Sequence, residues 1–119
     1  MYTVTVKFDA SELTPQPAPL AALRRESDGQ GGWCVRVADG YLHAGPWLSY
    51  PSAGLAGPTE VRWSVDQGRH DLAINGVVVA VTGGSCELDG ADTLYTNRDP
   101  FAPSAGFAGV VNAQIEGQP

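Results

Sequence analysis

The sequence predicts an all-β fold: an antiparallel two-sheet β-sandwich of about eight or nine short strands, in a single domain over residues 1–119. Three observations carry the prediction. Residues 60–82, EVRWSVDQGRHDLAINGVVVAVT, alternate apolar with polar side chains around Gln67-Gly68 and Asn75-Gly76, dipeptides that accept the positive φ of two-residue type I′ hairpins. The chain holds 15 Gly and 9 Pro but one Met, which suits many short strands joined by turns. Its 119 residues can enclose one core but not a large second lobe as well.

Taken in order, residues 2–8 form a half-buried strand, with Tyr2, Val4, Val6 and Phe8 alternating with Thr3, Thr5 and Lys7. Ser11 to Pro19 contains Pro15, Pro17 and Pro19, which rule out a central strand and favour an extended surface connection. Leu20 to Arg25 is marginal as an isolated helix and reads as a strand, with helix as the alternative. A flexible turn, Asp28 to Gly32, follows. Residues 33–45 make a hairpin on Asp39-Gly40 that pairs Val37 with Leu42 and Val35 with Ala44. Trp33 joins the apolar face, and Cys34, Arg36, Tyr41 and His43 take the other. Gly45 to Thr59 is a Gly/Pro/Ser-rich loop that leaves Trp47, Leu48, Tyr50 and Leu55 outside any regular element.

Counting outward from its two turns gives the central meander a register. One face carries the rows Val61-Ile74-Val77, Trp63-Leu72-Val79 and Val65-His70-Val81, apolar except for His70 at the rim. The other carries Arg62-Ala73-Val78 and Ser64-Asp71-Ala80, flanked by the pairs Glu60-Asn75 and Asp66-Arg69. A slip of one residue would expose Trp63 and the valines, so the core face is strongly specified. Gly83 to Gly90 reads as a loop and Thr93 to Thr96 as a short strand. In the last strand Phe107, Gly109, Val111, Ala113 and Ile115 alternate with Val110, Asn112, Gln114 and Glu116.

The formal charge of -6, with no concentration of Lys or Arg, argues against nucleic acid as a partner. No apolar run is long enough to span a bilayer, and the chain opens in a strand instead of a secretion leader. Cys34 and Cys86 permit one disulfide, whose loop of roughly 50 residues would be worth about 4 kcal/mol in the chain-entropy model. Unpaired buried cysteine is the alternative.

Catalytic constellations are weak. Glu87-x-Asp89 approaches the carboxylate pair of a glycosidase but sits in a turn signal without a third acid in step. Cys34 and His43 lie diagonally across their hairpin, roughly 7 Å apart, with nothing placed to orient the imidazole. No catalytic residues are therefore assigned, and the chain is expected not to be an enzyme. The aromatic 45–59 loop is the best lead. Trp47 and Tyr50, extended by Tyr41, His43 and Tyr95, offer ring faces to a sugar or a protein, or else fold back over an open core end.

The opening YTVTVKF, the hairpin GGWCVRVADGYLHAG, the meander and the closing GFAGVVNAQIEG resemble, in order and spacing, the laminin G-like domains of the concanavalin A-like lectin/glucanase superfamily. The likeness covers nearly the whole chain. The chain is short for that family, with no strand before residue 2 and a final strand that ends it almost at once. The resemblance implies a trimmed jelly-roll sandwich that binds glycans or protein surfaces without catalysis. It also implies calcium as a candidate cofactor, with oxygen ligands from Asp89, Asp92, Asn97 and Asp99; plain acidic turns are the alternative.

Two expectations follow. The first is a noncatalytic interaction module for glycan or protein. The second is a structural component of a particle or cell surface, forming a homo-oligomer or larger assembly and docking by a sheet edge or by the face that carries Arg62, Ala73, Val78 and Ala80.

Overall fold

The computed structural model describes residues 1–13, 17–45, 47–84, 90–97 and 109–117. It is all-β, with two antiparallel sheets of five strands each, consistent with a β-sandwich. The strands are β1 (Tyr2–Asp9), β2 (Ala18–Arg25), β3 (Gln30–Ala38), β4 (Tyr41–Ala44), β5 (Leu48–Pro51), β6 (Pro58–Asp66), β7 (Arg69–Ile74), β8 (Val77–Gly83), β9 (Thr93–Thr96) and β10 (Asn112–Gly117). The first sheet runs β10-β1-β6-β7-β8 and the second β5-β4-β3-β2-β9. Where the sheet edges meet, β5 lies against β8 and β10 against β9.

Between the sheets lies one core. Val4, Val6, Val61, Trp63 and Leu72 face Leu20, Leu23, Val35, Leu42 and Ala44, all of them almost fully buried. Trp63 is the largest, with Tyr2 set edge-on to its ring at 5.7 Å. A Cβ on Gly45 would stand 2.4 Å from the Trp63 ring, so the β4–β5 turn can close over the indole only with glycine there.

The strand assignments at 2–8, 20–25, 33–45 and 93–96 correspond to elements of the structure, and Val35–Ala44 and Val37–Leu42 pair as counted. Several expectations are corrected. Ten strands are present among the described residues, not eight or nine, partly because Leu48–Pro51 of the supposed loop pairs with β4 as an edge strand. Leu48 is buried and Tyr50 and Leu55 pack on the core, so apolar side chains that lacked periodicity found cover in short segments. Pro19 lies inside a strand. Among the described residues Pro19 pairs with Arg36 of β3, and the β9 ladder covers Ala21–Arg24.

Cys34 does not share the polar face. Leu20 and Cys34 fall between paired residues at successive irregularities of the β2–β3 ladder, and both are fully buried in the core. This also separates Cys34 from the Tyr41–His43 surface. His70 is no rim residue either, being fully buried. Val111, Ala113 and Ile115 pack on the core as the final alternation requires. Cys86, Glu87, Asp89, Asp99, Phe107 and the Trp33 side chain lie outside the described residues.

Candidate functional site

The five residues expected to make a binding platform do not converge. Tyr41 and His43 stand two residues apart on the outer face of β4, ring centroids 6.2 Å apart, with Tyr41 46% exposed. Trp47 is 53% exposed in the β4–β5 turn and lies over Gly84, where a Cβ would come within 2.5 Å of its Nε1. Tyr50 turns inward, packed on the core and against Gly54. Tyr95 sits on β9 at the opposite edge of the sheet, where its hydroxyl donates to the Glu26 carboxylate. The pattern of aromatic residues in sequence gave no means of telling a ring that covers the core from one that faces water.

The calcium candidates are likewise divided. Asp92 Oδ1 accepts from the Glu26 backbone N–H and the Thr93 hydroxyl, and these bonds, the backbone one foremost, hold its pKa below the ordinary 3.8. The Asn97 side-chain amide donates to the Gly109 carbonyl at 3.5 Å. Among the described residues no three His, Cys, Asp or Glu side chains cluster as a metal would require.

A hollow of about 450 Å³ with a mixed polar and apolar lining, which sequence reasoning missed, opens beside Lys7 on the first sheet. Lys7, Glu60, Asn75 and Asn112 line it, with Lys7 Nζ 3.9 Å from Glu60 Oε2. Its signal was present in the register, since β1 sets Lys7 between Glu60 and Asn112. It is a wide solvent-facing depression without an exposed ring.

The apolar surface lies on β8. Ile74 pairs with Val77 and Ala73 with Val78, as counted from the Asn75-Gly76 turn, and then the ladder slips. Leu72 faces Ala80, Asp71 faces Val81 and His70 faces Thr82, leaving Val79 as the extra residue of a bulge. The expected rows Trp63-Leu72-Val79 and Val65-His70-Val81 are therefore corrected to end in Ala80 and Thr82. The physical reason is fit: Ala80 packs against the core where a valine would have to be accommodated beside Trp63 and Leu72. Ala80 thus leaves the outer patch assigned to it, and Val81 takes its place beside Val78, Ala73 and Arg62.

As a result Val77, Val78, Val79 and Val81 are 63%, 60%, 36% and 51% exposed on a strand at the edge of its sheet. Isolated exposed valines are ordinary, but here four lie on one edge strand, Val78 and Val81 on the same outer face. The strand's end is well anchored. Trp63 Nε1–H donates to His70 Nδ1 at 3.3 Å, so the imidazole carries its hydrogen on Nε2 and donates it to the Gly84 carbonyl at 3.1 Å. Both ring nitrogens are thereby engaged in structure, and Gly84 in turn supports Trp47. Buried tryptophan, buried histidine and edge strand form one continuous support.

No helix among the described residues is long and apolar enough to cross a membrane. No family model, curated protein or solved structure matches the chain.

Proposed function

We propose that the chain is a noncatalytic interaction module that docks onto a protein surface through the β8 side of its first sheet, as a component of a larger assembly. One observation carries this reading: the run of exposed valines on an edge strand whose far end is fixed to the core through His70 and Gly84. A rigid apolar edge combines main-chain hydrogen-bonding groups with desolvation energy, the two contributions used in strand addition. The resemblance to laminin G-like domains accords with binding without catalysis. Glycan is the rival ligand, favoured by the adjacent Tyr41 and His43 and by exposed Trp47.

The test immobilises the wild-type and Val78→Lys chains, exposes both to extract from the source cells, and identifies retained proteins by mass spectrometry. Docking through β8 requires a protein held by the wild type and lost by Val78→Lys at unchanged Tm. Equal retention by both overturns it. A glycan array on which the wild type binds and Tyr41→Ala or Trp47→Ala does not would put the rival reading in its place.

A further inference from the structure

We infer that the occupant of the β8 edge is a second copy of this chain: two β8 strands pair antiparallel across a twofold axis and join their sheets into one. This deepens the docking reading above and rests on it.

Among the described residues, the four strands that end the two sheets differ in how they resist such pairing. β5 and β9 have four residues each, and β5 ends in Pro51. β10 turns Asn112, Gln114 and Glu116 to solvent. Short strands, proline and charge are the usual defences of an open edge. β8 has none of these over seven residues, VVVAVTG. Its one irregularity, the Val79 bulge, brings Val78 and Val81 onto the same outer face.

Local charge does not oppose a like partner. The chain carries -6, yet Val77–Gly83 contains no ionisable residue, and the neighbouring Arg69 and Asp71 pair with each other at 3.2 Å. Two copies therefore meet here without opposing like charges, whereas a basic or acidic partner would find nothing to pair with. Face matching is also satisfied. If Val78 lies opposite the partner's Val81, both point outward, and Val77 then meets the partner's Thr82 on the inner side. A standard interface buries about 800 Å² per partner, more than four valines supply, so the pairing is at the weak, concentration-dependent end.

Sedimentation velocity over a dilution series from about 100 to about 1 μM, the range in which a micromolar dimer dissociates, tests this. The wild type should pass from dimer to monomer across the series. Val78→Lys and Val81→Lys should remain monomeric throughout, an affinity loss of at least about tenfold, each with the wild-type Tm. Val110→Lys, at a site 76% exposed and outside β8, should behave as the wild type. A monomeric wild type at every concentration, or association that survives both β8 substitutions, overturns the self-pairing. If the wild type is monomeric while Val78→Lys still loses the protein retained in the preceding experiment, self-pairing alone falls. If Val78→Lys changes neither result, the docking reading falls with it.

Discussion

Gln67-Gly68 and Asn75-Gly76 close their hairpins in the same way, with φ of 50° and 80° at the first turn and 51° and 83° at the second. Beyond the turns the hairpins diverge. β6 and β7 stay in step from Asp66–Arg69 to Val61–Ile74, while β7 and β8 keep step for two pairs and then slip at Val79. β6 is held on its other side by β1 from Tyr2–Val65 to Asp9–Pro58, and its inward residues Val61, Trp63 and Val65 are buried. Among the described strands β8 is hydrogen-bonded to β7 alone, and it buries little. Turn chemistry sets the first pair; burial and a second neighbouring strand decide whether the count continues.

Deletions should separate the two hairpins most widely. Removing Ser64 from β6 reverses the faces of the residues on one side of it and should cost more than about 3 kcal/mol, read as loss of a cooperative thermal transition. Removing Val79 leaves Val78 opposite Ala73 and Ala80 opposite Leu72, so denaturant unfolding should change by no more than about 1 kcal/mol. Comparable losses would mean that β8 is as tightly registered as β6.

Side-chain truncation gives the next contrast. Trp63→Ala empties the centre of the core and should destabilise by about 3–5 kcal/mol, whereas Val81→Ala should stay within about 0.5 kcal/mol in the same urea titration. At the turns the hairpins should instead agree. Gly68→Ala and Gly76→Ala each force a side chain to φ near +80°, with only an ordinary 3.7 Å contact to the Gly84 carbonyl at the first and open space at the second, and should each cost about 1 kcal/mol. A marked difference between them would show that the register slip begins in the turn.

The smallest effect lies outside the meander, at the β2–β3 turn. Hydrogen bonding to Arg25 holds the Asp28 carboxyl below its ordinary 3.8. A depressed folded pKa means that this contribution is complete above 3.8 and is lost as pH falls through the folded value. Asp28→Asn should therefore flatten the pH dependence of stability below 3.8 and leave its shape at neutral pH unchanged.

The same comparison explains how much was legible in the sequence. Strong alternation placed β1 and the β6–β7 pair, and Asp39-Gly40 placed β3 and β4, because there the turn, the period and the burial agree. Irregular pairing was not legible. Bulges at Val79 and around Leu20 and Cys34 come from packing against the opposite sheet, which local pattern does not encode, and each inverted a face assignment. β5 was missed because four residues, LSYP, give too short a period to read. For the candidate site, Val78 was identified on the outer face with Ala73 and Arg62, but Val81 was assigned to the core and Ala80 to the patch. His70 was placed at the rim because its partners, Trp63 and the Gly84 carbonyl, come from β6 and from beyond β8.

Residue-resolved amide hydrogen exchange of the wild-type chain at low and high protein concentration tests the docking edge most directly. β8 amides should slow as concentration rises while those of β6 do not change, and Val78→Lys should abolish the slowing. β8 exchange that is identical at both concentrations would contradict pairing at that edge.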